Sequence, residues 1–111
     1  MTDSSARPRS AALDEKLAAL RDGYRRSLPE QLAALATLLA APASPETADA
    51  AWRLAHRLKG TSGSYGLNEL ATQLETIEET FERARRTHTP ATDDERSRAA
   101  AALERARATL G

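Results

Sequence analysis

The chain has 111 residues, enough for one hydrophobic core and not two, so it reads as a single domain. Its 16 basic and 16 acidic residues cancel and no long block of one sign occurs, which leaves non-specific binding to nucleic acid or an anionic membrane without bulk electrostatic support. With no cysteine there is no disulfide framework, thiolate metal site or thiol nucleophile, and no apolar run suits a membrane span or a secretory signal. A cytoplasmic monomer with neither membrane nor nucleic-acid partners is expected.

In chain order, residues 1 to 9 are polar and contain Pro8, which predicts a flexible lead-in, with residues 10 to 111 as the folded domain. From Ser10, the residues Leu13, Leu17, Leu20, Tyr24 and Leu28 recur at spacings of three and four, the period of an amphipathic helix. Pro29 then interrupts. Ser27 and Glu30 fit a capping box, so either a second helix begins there, carrying Leu32, Leu35, Leu38 and Leu39, or one long helix is kinked at the proline. In both cases the apolar stripe continues across the join.

Residues 41 to 45 (APASP) form a turn, with Ser44 placed to cap the next helix and Pro45 in its first position. That helix runs from about Glu46 to Ser62 or Ser64, and Gly66 suits the left-handed position that ends it. Another starts near Leu67 with the cleanest periodicity in the chain, Leu67, Leu70, Leu74, Ile77, Phe81 and Ala84, and ends in Arg85, Arg86 and His88, whose charge complements the helix dipole. Pro90 closes it. Thr92 and Glu95 make a second capping box, and the last helix reaches about Leu110 with Leu103 and several alanines to pack. The expected fold is all-α, an up-and-down antiparallel four-helix bundle with an additional or kinked N-terminal helix, closely packed because alanines are many and aromatics few.

The chemistry concentrates in residues 52 to 66, WRLAHRLKGTSGSYG. Wound at about 100° per residue, this stretch puts Ala51, Leu54, Ala55 and Leu58 on one stripe and Trp52, His56, Lys59, Gly60 and Gly63 on another, roughly 120 to 130° away. Each glycine in a helix interior costs about 0.5 to 1 kcal/mol relative to alanine, so Gly60, pointing away from the core one turn after a histidine, keeps space clear above the ring. If this helix and the next turn back on each other near Gly66, residues whose numbers sum to roughly 134 share a height, which sets Glu78 opposite His56. Glu75 and Glu79 point further out.

An exposed imidazole, a lysine one turn on, a cleared patch and a carboxylate from the next helix suit a nucleophilic histidine. Imidazole has an ordinary pKa of about 6.5, so a neutral ring with a free lone pair exists at cytosolic pH without a general base, and can attack phosphorus directly. Lys59 would pair with phosphoryl oxygens, Gly60 and Gly63 would admit a partner's active site, and Glu78 would hydrogen-bond the second ring nitrogen and fix the tautomer. Trp52, Arg53 and Arg57 would line the docking face. There is no phosphate-cradling glycine-rich loop and no aspartate pair placed to hold magnesium. A metal site on His56, Glu78 and His88 is disfavoured, because His88 lies about ten residues, roughly 15 Å of helix rise, beyond Glu78.

The string AHRLKGTSGSYG resembles the signature of histidine-containing phosphotransfer (HPt) domains, a histidine followed by lysine at +3, glycine at +4 and glycine at +10, here His56, Lys59, Gly60 and Gly66. The likeness extends to YRRSLPEQLAAL in the preceding helix and to Leu70, Ile77 and Glu78 in the following one, covering roughly residues 20 to 86. It implies a phosphorelay intermediate. His56 would take a phosphoryl group from a receiver domain's aspartyl phosphate or from a sensor histidine kinase, hybrid kinases included, and pass it to a response-regulator aspartate. The resemblance implies no cofactor for the chain itself and no ATP-dependent kinase activity, with Mg2+ held by the partner receiver domain. Glu78 stands where many members have glutamine and chemotaxis-type kinases have glutamate. The resemblance therefore leaves open a free-standing carrier, an excised domain of a hybrid kinase, or the phosphoacceptor domain of a chemotaxis-type kinase; beside these stand a non-catalytic receiver-binding adaptor on the same fold and a plain structural bundle.

Overall fold

The computed structural model describes the backbone of residues 3–111 and the side chains of residues 10–111. Four helices follow one another, α1 (Asp3–Ala40), α2 (Pro45–Ser64), α3 (Asn68–Thr87) and α4 (Asp93–Ala108). Each packs against its neighbours in sequence, and α1 meets α4 to close the ring, which makes the up-and-down bundle.

The four ends are set by local chemistry. The Ser44 hydroxyl accepts from the Thr47 amide at 3.1 Å while the Ser44 amide donates back to the Thr47 hydroxyl, also at 3.1 Å, and Pro45 occupies the first turn of α2. The Thr92 hydroxyl accepts from the Glu95 amide at 3.1 Å, and the Glu95 carboxylate accepts from the Thr92 amide at 2.8 Å. At the far end of α2, Gly66 takes φ +75°, and the amides of Leu67 and Gly66 donate to the carbonyls of Ser62 and Gly63 at 2.9 and 3.0 Å. That pair of hydrogen bonds reverses the chain into α3 within three residues.

His88 ends α3 in the same way. It stands in the left-handed region at φ 53°, and the amides of Thr89 and His88 donate to the carbonyls of Ala84 and Arg85. A side chain there costs what a glycine would not, so His88→Gly should raise stability by about 1 kcal/mol in a urea melt. Its backbone conformation, not dipole complementation alone, defines this residue's place.

α1 resolves the alternatives at Pro29 in favour of one continuous helix. Ser27 does not cap a new helix. Its hydroxyl instead donates to the Tyr24 carbonyl at 2.6 Å and accepts from the Gln31 amide nitrogen at 2.9 Å. Leu28, Leu32, Leu35 and Leu39 lie buried on both sides of the proline, so core packing holds the helix together where one backbone donor is missing. α1 also starts at Asp3, ahead of the expected Ser10, so residues 3 to 9 are helical in backbone; the remainder of the expected lead-in, residues 1 and 2, lies outside the described residues.

The apolar stripe of α1 is only half used. At about 1.5 Å per residue α1 is about 57 Å long and α2 about 30 Å, so the first turns of α1 run past the end of the bundle. Leu13, Leu17 and Leu20, expected in the core, are 57, 51 and 57% exposed. The last anchor before the overhang is Tyr24, whose phenol is 2.9 Å from the Ser62 hydroxyl, donates to the Leu58 carbonyl at 3.2 Å and lies 5.3 Å from the Tyr65 ring. Burial raises the Tyr24 pKa, and the Ser62 hydrogen bond only partly offsets this.

The core is asymmetric in residue size. α1 and α3 supply the bulk through Leu28, Leu32, Leu35, Leu70, Leu74, Ile77 and Phe81, while α2 and α4 present mostly alanines, Ala48, Ala51, Ala55, Ala99, Ala102 and Ala106. Each fully buried leucine contributes about 1.5 to 3 kcal/mol, and the small residues opposite let the backbones approach. Leu54 and Leu67, expected on the apolar stripes, are only partly buried. Among the described residues no helix is long and apolar enough to cross a membrane.

Candidate functional site

α2 and α3 form one antiparallel hairpin, and the Gly66 turn fixes its register. That register brings His56 and Glu78 together: Nδ1 of His56 is 3.2 Å from Oε2 of Glu78. The same carboxylate oxygen is 2.9 Å from Nζ of Lys59. Glu78 is the inner one of three neighbouring carboxylates, its side chain 15% exposed, whereas Glu75 and Glu79 stand in solvent.

Burial alone would raise the Glu78 pKa, but the hydrogen bonds from Lys59 and His56 outweigh it and hold the carboxyl below its ordinary value. Reciprocally, the Glu78 hydrogen bond raises the Lys59 pKa against a smaller opposing effect of burial. Both groups are charged at neutral pH. The carboxylate therefore accepts the Nδ1 proton of a neutral imidazole, which leaves the lone pair on Nε2. The His56 side chain is 56% exposed, so that nitrogen stands at the surface.

The other expected site residues surround this centre in different roles. Gly60 and Gly63 are exposed, and a Cβ built on either would meet nothing within 4 Å. They are thus not packing glycines. Arg53 is exposed and pairs with Asp49 at 2.7 Å, and Arg57 is exposed one turn further along. Trp52 is half-buried and stacks on His56, ring centroids 4.8 Å apart and planes 7° from parallel. Surface depressions lined by Arg25, Leu67, Asn68 and Leu110 lie at the Gly66 end and share no residue with this face.

Two residues of this face were missed by sequence reasoning. Arg85 of α3 lays its guanidinium 3.8 Å from the centre of the Trp52 ring, and Asp49 holds that guanidinium at 3.6 Å. The signal was present, since 49 and 85 sum to the same 134 that pairs His56 with Glu78. The sequence alone assigns Arg85 only a helix-dipole role.

The fold and the site together define a class, a four-helix bundle that carries one solvent-facing histidine tethered through Nδ1 to a carboxylate on the adjacent helix. The family model of the Hpt domain matches residues 19–109, and the chain belongs to that family. Its function lies in histidine phosphotransfer of two-component signalling, whose members interact with receiver domains and histidine kinases. No curated protein and no solved structure matches this chain.

Proposed function

We propose that the chain is a cytoplasmic phosphorelay carrier in which His56 is the phosphoacceptor. The observation that supports this best is the exposed imidazole whose Nδ1 is engaged by Glu78, so that Nε2 is the nucleophile. In the forward step the Nε2 lone pair attacks the phosphorus of a receiver domain's aspartyl phosphate. The N–P bond forms, the acyl P–O bond breaks, and its electron pair leaves with the aspartate carboxylate. Transfer to the next response regulator runs the same step in reverse. Magnesium and the acidic cluster belong to the receiver.

Lys59 has a double part. At rest it neutralises Glu78, and its flexible stem lets the ammonium turn to the incoming phosphoryl oxygens as a point charge. Gly60 and Gly63 leave the approach to the ring unobstructed.

Incubation with a phosphorylated receiver domain, or with phosphoramidate as a small donor, should place acid-labile, base-stable phosphate on the chain. Binding of the receiver without any such label would instead mark an adaptor. Gly60 supplies a separate test of the docking face. Gly60→Ala should stabilise the isolated domain by about 0.5 to 1 kcal/mol, because the added methyl meets open space and glycine is a poor helix former. The same variant should accept phosphoryl groups more slowly from the receiver but not from phosphoramidate. An unchanged receiver rate would remove Gly60 from the docking surface.

A further inference from the structure

We propose that Trp52 is a positioning residue for His56, its indole face fixing the plane of the imidazole and lying against the positive charge that the ring acquires during phosphoryl transfer. This rests on the reading of His56 as phosphoacceptor.

The geometry separates this role from docking. The two rings are one helical turn apart on α2 and nearly parallel, with centroids 4.8 Å apart. The Arg85 guanidinium also lies over the indole, 3.8 Å from a ring centre. The indole is thus engaged by two groups of the chain itself, and a partner that stacked on it would have to displace one of them. Nor is the indole a hydrogen-bond donor to the phosphoryl group: Nε1 is enclosed and has no partner among the described residues. A buried unpaired N–H costs stability, and what this site gains in return is the position of the ring.

The chemistry explains why that position matters. A hydrogen bond at Nδ1 restrains one atom of the imidazole and still allows the ring to swing about it. A parallel indole against the ring face removes that freedom, so Nε2 keeps one direction of attack. When Nε2 bonds to phosphorus while Nδ1 keeps its proton, the ring becomes a phosphorylated imidazolium. Its positive charge then meets Glu78 in the plane and the electron-rich indole face across it. The two nearby cations do not cancel this, because Lys59 is matched by Glu78 at rest and by the phosphoryl oxygens during transfer, and the Arg85 guanidinium is held by Asp49.

The test uses the full chain with Trp52→Phe and Trp52→Leu. In NMR spectra the carbon-bound ring protons of His56 should be displaced upfield by the indole ring current in the parent, and should return toward ordinary values in Trp52→Leu. Labelling by phosphoramidate should slow roughly five- to thirtyfold in Trp52→Leu and stay within about threefold of the parent in Trp52→Phe, the span that a cation–π contact provides. Transfer from a phosphorylated receiver should show the same loss in maximal rate at an unchanged half-saturating concentration. If only the half-saturating concentration rises, with phosphoramidate labelling intact, Trp52 is a docking residue and the proposal is wrong. Equal rates for all three proteins would reduce it to packing and equally overturn the proposal. If the parent takes no label, the phosphoacceptor reading itself fails; the ring-proton shifts still decide whether the indole orients His56. Should Trp52→Leu not fold, Arg85→Gln removes the guanidinium that holds the indole and should weaken both the ring-current shift and the labelling rate.

Discussion

His56→Gln should abolish phosphorylation and leave the bundle intact. The imidazole is 56% exposed and is tied to the protein by a 3.2 Å hydrogen bond to Glu78 and the stack on Trp52, so its removal opens no cavity in the core. A hydrogen bond of this kind contributes about 0.5 to 1.5 kcal/mol, and glutamine retains an amide N–H within reach of the same carboxylate. Glutamine is also a good helix former, so α2 loses little propensity. What disappears is the imidazole nitrogen that would attack phosphorus. The expected result is complete loss of base-stable label with a thermal midpoint close to the parent's. Persistent label on the variant would move the phosphoacceptor elsewhere, with His88 the first residue to replace next.

A large effect on stability is also expected at Glu95, far from the phosphoryl chemistry. Glu95→Gln should cost roughly 1.5 to 3 kcal/mol at neutral pH, the range for hydrogen bonds to a charged group. Glu95 is 7% exposed, and its two oxygens accept from Arg83 at 2.9 and 2.7 Å while one of them also accepts from the Thr92 amide. The same guanidinium donates to the Thr89 hydroxyl and the Pro90 carbonyl, both at 3.1 Å, so one ion pair ties α3, the α3–α4 loop and α4 together. The Arg83 side chain is 42% exposed, and solvent screening keeps the effect within this range.

The pH dependence has a definite sign. The Arg83 hydrogen bonds, opposed by burial and helped by Thr92, lower the Glu95 pKa from 4.5 to about 2. A carboxyl bound more weakly to its proton when folded stabilises the fold above its unfolded pKa, and that contribution drains away as pH falls through the folded value. Urea midpoints of the parent should therefore decline between about pH 5 and pH 2, beyond what its other carboxylates produce. The Glu95→Gln protein should lack that component, so the two curves converge in acid. Parallel curves across the window would remove Glu95 as the cause.

Much of this arrangement was legible because it depends on local rules. The spacing of apolar residues located α2, α3 and α4; Ser44, Thr92 with Glu95, and Gly66 marked their ends; and the hairpin register followed from the Gly66 turn. Hence the sequence sets Glu78 at the height of His56, and in the structure that carboxylate lies within hydrogen-bond distance of both His56 and Lys59. The misses lie where tertiary packing decides, and in α1 periodicity reports what a helix can bury and not what is there to cover it. Leu13, Leu17 and Leu20 continue the stripe of α1 but extend past the much shorter α2. At Pro29 the sequence leaves a break and a kinked continuous helix equally open, and leucines buried on both sides decide for continuity. The Glu95 capping box was readable, but its burial and its pairing with Arg83 depend on how the α3–α4 loop folds back.

The reversal at Gly66 also sets how far the phosphoryl site depends on the remainder of the molecule. His56 and Glu78 are 22 positions apart in the chain, and every hydrogen bond, ion pair and ring contact described for the site joins residues of α2 to each other or to α3. The site is therefore a low-contact-order unit, closed by a short loop whose entropy cost is small. Strain or fraying in α1 reaches it only through the opposite, buried faces of the hairpin. A signalling domain built this way can be fused, extended or loosened at its ends while the distance between nucleophile and orienting carboxylate stays the private property of one turn.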